Sequence, residues 1–285
     1  SRLTIKNNGN ITGVDKLKRF LAFNDQGEQI EMFDLFSQSH LQFPNKVVKI
    51  EGNDFLLANK QGRYLWEWDY TSQKVKNYYI GPDNEIDYLA FSNSDKIGKS
   101  YVFAVTDRQL FIWRKGQSTH IKRMDFSDIG FINGISVYTD KFLYVVTDHK
   151  IAQIDLNNDF KLKLFKPVLE QEFRSVVGNI DGVLYLKDKA QKLLKWEPAE
   201  NEVVSFADKS SLIDDAKLFG DKIYALAFDK KTNSTSINVY AKDFSAVQST
   251  KIQGDTELDR QCVANLRSEI FVANHEEIIL SCELE

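Results

Sequence analysis

The apolar positions of this chain fall into short runs that repeat along its whole length. Seven are almost unbroken by polar residues: 20–23, 55–58, 101–105, 142–146, 183–186, 223–228 and 270–273. Runs of that length bounded by turn residues read as β-strands covered on both faces. Polar turns follow them, such as Asp25-Gln26-Gly27, Thr106-Asp107-Arg108, Thr147-Asp148-His149 and Asp188-Lys189-Ala190, which is hairpin chemistry. The next strand then closes on a large residue, usually followed by a polar or acidic one: Phe33-Asp34, Trp68-Asp69, Trp113-Arg114, Ile154-Asp155, Trp196-Glu197, Tyr240-Ala241 and Cys282-Glu283. The spacings are 35, 45, 41, 42, 44 and 42 residues. A beat in that range predicts propeller blades.

A more polar segment follows each beat, as in 74–80, 119–124, 161–165 and 202–206, and its polarity suits an outer edge in water. Pro44, Pro82 and Pro167 fall between the units and Pro198 in a hairpin, as expected of a residue excluded from central strands. The pattern therefore predicts an all-β, seven-bladed β-propeller of four-stranded antiparallel blades, one domain over 1–285. The blades are placed at 11–43, 47–81, 86–124, 134–168, 175–209, 215–253 and 261–285. The last is one strand short, so residues 1–8, with Leu3-Thr4-Ile5-Lys6, are expected to close it as its outer strand.

On these residues the chain resembles the Trp-Asp repeat (WD40) propellers in a degenerate form. Trp68-Asp69 stands where that family's namesake dipeptide ends the third strand, and Asp107 and Asp148 lie six residues before Trp113 and Ile154, like its turn aspartate. No Gly-His dipeptide occurs, and one unit of seven keeps the full Trp-Asp. The resemblance covers nearly the whole chain and implies a propeller.

Composition narrows the picture. A net charge of -4 and a pI near 5.7 disfavour a dedicated nucleic-acid binder. No apolar run approaches a membrane span, and the chain opens at Ser1 without a signal-peptide pattern, which suggests an excised domain or processed product. Cys262 and Cys282 fall on the first and third strands of one sheet, too far apart for a disulfide, so a reducing, intracellular compartment (cytoplasm or nucleus) is expected. His40, His120, His149 and His275 lie in four different units without ligand spacing; no metal, cofactor or catalytic residue is assigned. Trp66 and Trp68 share one strand face, and core packing is the expected use.

Two groups of residues remain as binding candidates. Loops between blades carry apolar side chains that either tuck under the rim or form an exposed patch, and Phe126, Ile129, Phe131, Phe173, Arg174 and Leu212 are taken as partner-binding. Arg114, Lys115, Lys122, Arg123, Lys161 and Lys163 compose a basic stripe. The functional expectation is a non-catalytic scaffold for other proteins, a monomeric ring acting as domain or subunit of a larger assembly. The alternatives are an enzyme or small-ligand binder at the central channel mouth, and an acidic or nucleic-acid partner on the stripe.

Overall fold

The computed structural model describes residues 3–5, 11–14, 19–23, 29–34, 44–50, 54–59, 64–69, 71–72, 74–82, 84–92, 100–168, 172–206, 211–229, 231–232, 234–251, 262–266, 269–273 and 278–283. Before residue 46 and after residue 249 the description is of the backbone. Residues 35–43 of the expected first blade, with His40, and also His275 lie outside it.

The described chain is all-β and forms seven antiparallel sheets, six of four strands and one of three. Sheet 1 contains β1 (Leu3–Ile5), β2 (Ile11–Val14), β3 (Arg19–Phe23) and β4 (Gln29–Asp34). Sheet 2 contains β5 (Pro44–Lys49), β6 (Asp54–Asn59), β7 (Tyr64–Asp69) and β8 (Lys74–Ile80). Sheet 3 contains β9 (Tyr88–Ser92), β10 (Tyr101–Thr106), β11 (Gln109–Arg114) and β12 (Lys122–Asp125). Sheet 4 contains β13 (Ile132–Tyr138), β14 (Phe142–Thr147), β15 (Ile151–Asp155) and β16 (Lys161–Phe165). Sheet 5 contains β17 (Phe173–Ile180), β18 (Val183–Asp188), β19 (Leu193–Glu197) and β20 (Glu202–Ser205). Sheet 6 contains β21 (Ser211–Phe219), β22 (Lys222–Asp229), β23 (Ser234–Ala241) and β24 (Ala246–Lys251). Sheet 7 contains β25 (Cys262–Leu266), β26 (Glu269–Ala273) and β27 (Ile278–Glu283).

The unbroken apolar runs are the second strands of sheets 2 to 6, and their alternation explains why they are unbroken. Phe103 and Val105 of β10 join a cluster shared with sheet 4, whereas Val102 and Ala104 join one shared with sheet 2. Each such strand is wedged between two neighbours, so both faces must be apolar. The core therefore lies between sheets. Further clusters join sheets 4 and 5 through Tyr144, Phe165, Phe173 and Trp196, and sheets 5 and 6 through Tyr185, Ile213 and Tyr240. Trp66 and Trp68 are buried, as the core reading expects.

The recurrent large residue occupies one register position. It faces the preceding strand as Phe20 with Phe33, Phe55 with Trp68, Val102 with Trp113, Leu143 with Ile154, Leu184 with Trp196, Ile223 with Tyr240 and Ile270 with Cys282. The following acid also has a physical role. Asp69 Oδ1 accepts the amides of Thr71 and Ser72 at 2.8 and 3.2 Å, and Asp155 Oδ1 accepts that of Asn157 at 3.0 Å. A short carboxylate there closes the turn that starts the next strand. These hydrogen bonds, that of the Ser72 amide above all, hold the Asp69 carboxyl below its ordinary range.

The N-terminal strand corrects one expectation. β1 is not the outer strand of sheet 7; it pairs antiparallel with β2, Leu3 opposite Gly13 and Ile5 opposite Ile11. Pairing with the next strand in the chain closes a far shorter loop than pairing with the other end, and so loses less chain entropy. In consequence Phe33 lies on the fourth strand of its sheet, whereas in the other six the recurrent residue is on the third. The first strands contact one another in series: β1 with β5, β5 with β9, β9 with β13, β13 with β17, β17 with β21, β21 with β25, and β25 with β1.

Candidate functional site

The most strongly patterned part of the molecule is the rim where first strands begin beside the hairpins of the preceding sheet. Three successive junctions share one backbone bond: Ile132 N donates to Asp107 O at 3.0 Å, Phe173 N to Asp148 O at 2.9 Å, and Ile213 N to Gln191 O at 2.9 Å. The three donors are buried, each anchoring a strand entrance against its neighbour. Immediately after each anchor the register skips a residue, from Ile132 to Gly134, Phe173 to Ser175 and Ile213 to Asp215. The extra residues are Asn133, Arg174 and Asp214. A bulge bends the strand and re-aims the inserted residue, which is why polar groups gather there.

At the junction of sheets 4 and 5 this insertion works as a latch. The Asn133 amide donates to Asp148 Oδ1 at 2.8 Å and to Phe173 O at 2.9 Å, tying a turn of its own sheet to the next sheet. The same approach requires glycine beside it. A Cβ on Gly134 would lie 2.7 Å from Val176 Cγ2.

The connection from β12 to β13 is held as firmly. Asp125 Oδ1 accepts the Ser127 amide at 2.8 Å and its hydroxyl at 2.6 Å, and these bonds, with Arg123 and Arg108 nearby, keep the Asp125 carboxyl below its usual range. Ile129 N and Gly130 N both donate to Phe126 O, at 2.8 and 2.9 Å. Phe126 is fully buried, and its own amide donates to Arg108 O at 2.7 Å. On this rigid base Phe131 stands 43% exposed, with the Arg108 guanidinium 3.8 Å from its ring centroid.

The structure thus separates the expected partner-binding residues. Phe126 and Phe173 are buried, one in the cluster between sheets 3 and 4 and the other in that between sheets 4 and 5, so as surface contacts they are corrected. Ile129 is half-buried and packs on the cluster between sheets 3 and 4; Leu212 is half-buried on β21. Phe131 and Arg174 are exposed. Arg108 and Asn133 were not among the candidates, and neither has a motif around it.

The basic stripe is divided by strand alternation. Arg123 sits opposite Phe111, 5.6 Å from its ring centroid, on the side of sheet 3 that faces sheet 2. Lys122 sits opposite Ile112 on the other side, toward sheet 4. Lys163 lies 4.5 Å from the Phe165 ring centroid, on the side of sheet 4 that faces sheet 5, and Lys161 shares that side. Lys115 is 3.5 Å from the buried Glu67 carboxylate, and Arg114 is exposed at the end of β11. Six cations close in sequence do not make one surface.

Lys187 is the other unexpected residue. It is only 7% exposed, on β18, and its ammonium donates to the carbonyl of the bulged Asp214 across the junction of sheets 5 and 6. Burial lowers its pKa from the ordinary lysine value; Arg174 and Lys217 push the same way, against Asp215 and Asp214. Nearby, His149 Nε2 lies 3.3 Å from Glu172, whose carboxylate also pairs with Lys189. Among the described residues no three His, Cys, Asp or Glu side chains gather in a metal-ligating group.

No family model matches the chain, and no curated protein matches its sequence. Its architecture does have solved counterparts. Hsv2 of Kluyveromyces marxianus is 13% identical with a TM-score of 0.66, over 96% of this chain and 88% of that one. Hsv2 of Kluyveromyces lactis is 10% identical with a TM-score of 0.68, over 96% and 89% respectively. At such identities the likeness is one of fold alone, and with the sheets and registers above it makes this chain a β-propeller.

Proposed function

We propose that the seven sheets close into one seven-bladed ring, a single domain over 1–285, and that the ring is a non-catalytic scaffold for other proteins. The serial contact of first strands, β25 beside β1 included, supports the closure. One observation carries the binding role: the exposed Phe131, stacked under Arg108 on a loop whose base is buried and hydrogen-bonded. Aromatic and arginine side chains held rigidly at a rim are the usual anchors of protein interfaces. Ile129, Arg174 and Leu212 extend the same rim. The ring would act as a domain or subunit of a larger assembly.

The test is cross-linking mass spectrometry on the full-length parent with its bound proteins. Cross-links from partners are expected at Lys150 and Lys189, on hairpins of this rim. A partner set whose cross-links all lie elsewhere, or a purified parent with no bound protein, would remove the reading.

A further inference from the structure

We infer that the rim over sheets 3 and 4 docks a basic protein segment with one apolar anchor residue. This rests on the reading of the rim as the docking face and adds the chemistry of what docks. The loops that bring Phe131 and Arg108 together also bring carboxylates. The amide of Asp107 donates to Asp87 Oδ2 at 2.6 Å, the carbonyl of Asp107 accepts the amide of Ile132, and Asp125 lies within electrostatic reach of Arg108. Asp128 accepts Lys150 Nζ on its carbonyl at 3.5 Å, and Asp148 holds Asn133.

On these loops five carboxylates, Asp87, Asp107, Asp125, Asp128 and Asp148, stand against Arg108, Lys150 and, beside Asp125, Arg123; Lys189 of the next hairpin, also near Asp148, is paired with Glu172. Three of the five are engaged: Asp87 by a main-chain amide, Asp125 by Ser127 and Asp148 by Asn133. The Asp107 and Asp128 side chains are exposed and have no hydrogen bond or ion pair among the described residues. Arg108 places its guanidinium over the Phe131 ring, where it fixes the ring's orientation and covers one face.

The result is an exposed apolar side chain on loops that carry more carboxylates than cations. Electrostatic complementarity selects a partner by sign before contacts form. A nucleic-acid backbone, an anionic bilayer or a second copy of this acidic chain would bring like charge to the patch. A segment with several Lys or Arg residues brings the opposite charge, and an apolar side chain on it meets the free face of Phe131.

The experiment uses the purified chain and three fluorescent twelve-residue peptides: one alternating Lys with Leu around a central Phe, the same with Glu for Lys, and the first with Ser for every Leu and Phe. Anisotropy titrations at low and at raised salt give their affinities. The Lys/Leu/Phe peptide is expected to bind tightest, to weaken with salt, and to lose about tenfold on Phe131→Ser and on Asp107→Asn with Asp128→Asn, where tenfold is a readily measured step. Val204→Ser, also an exposed apolar side chain but distant in the chain, is expected to leave binding unchanged, and thermal melts confirm that the variants fold. Equal affinity of the variants and the parent for that peptide, tighter binding of the Glu peptide, preference for anionic vesicles, or no binding at low salt would each overturn the inference. None of those results touches the scaffold reading, which stands or falls on the cross-links.

Discussion

The junction between sheets 4 and 5 and the junction between sheets 5 and 6 meet the same requirement with opposite chemistry. Counting three residues on from the one that pairs with the recurrent large residue gives Ala58, Val105, Val146, Lys187 and Leu226. Four of these are buried aliphatics, and at the sheet 4 to 5 junction Val146 shares an apolar cluster with Phe173. At the next junction the position holds a lysine, and the smaller Ile213 stands where Phe173 stood. The bulge makes the exchange possible, because it turns the Asp214 carbonyl toward the Lys187 ammonium. The backbone scheme of the propeller thus tolerates a lysine in its core at this junction, where a strand irregularity supplies an acceptor.

The largest expected effect is at the dry junction. Phe173→Ala removes a fully buried ring from the cluster that joins sheets 4 and 5 and should cost about 3–5 kcal/mol in urea unfolding. Ile213→Ala at the polar junction should cost less, about 2–4 kcal/mol, because fewer buried atoms are removed. Equal losses would mean that the two anchors bear on their clusters alike and that the comparison has no energetic content.

The latch comes next. Asn133→Ala strips a donor from Asp148 and from Phe173 O and should cost about 1–3 kcal/mol, since both acceptors are half-screened from water. If the loss measured with Phe173→Ala already in place were unchanged, latch and cluster would act independently, because neighbours that share a partner depart from additivity. At the sheet 5 to 6 junction the lysine that reaches across, Lys187, comes from the other side and meets the carbonyl of the inserted residue.

Much of this architecture can be read from the sequence, and the reason is periodic burial. A strand wedged between two sheets must be apolar on both faces, so its run survives in the amino-acid pattern, and Trp68, Trp113 and Trp196 mark one register position. The placement of β1 could not be read, because Leu3-Thr4-Ile5 is short enough to pair with either the next strand or the far end of the chain. The rim was legible only in part. Phe126, Phe131 and Phe173 share a residue type and lie on connections, but which of them faces water depends on turn hydrogen bonds that no composition rule records. The stripe failed for a related reason: Lys122 and Arg123 are adjacent in sequence and therefore lie on opposite faces of β12. Lys187 had a signal, a lysine directly after the run 183–186 at a position where the other aligned runs hold an apolar residue, visible once the runs are aligned on the recurrent residue.

Lys187 yields the smallest and most discriminating prediction. The lowered pKa shows that the partners of the Lys187 ammonium do not fully offset the cost of burying its charge, so Lys187→Met should raise stability by about 1 kcal/mol near neutral pH. The sign of the pH dependence follows from the lowered pKa in the fold. Between that value and the ordinary lysine value the unfolded chain binds the proton and the folded chain does not, so stability rises with pH across that window. The burial penalty is present in full below the folded pKa and is relieved as pH rises through it. Tyrosines act in the opposite direction higher up: burial pushes Tyr185 up to about 12 and raises Tyr79 as well, so the folded chain keeps protons that the unfolded one loses above the usual tyrosine range. The difference in stability between Lys187→Met and the parent, followed from pH 7 to 10, removes the tyrosine contribution common to both. It should shrink steadily as pH rises. A difference independent of pH would mean that Lys187 stays charged throughout, held by Asp214 and Asp215, and that the two junctions differ in shape and not in charge.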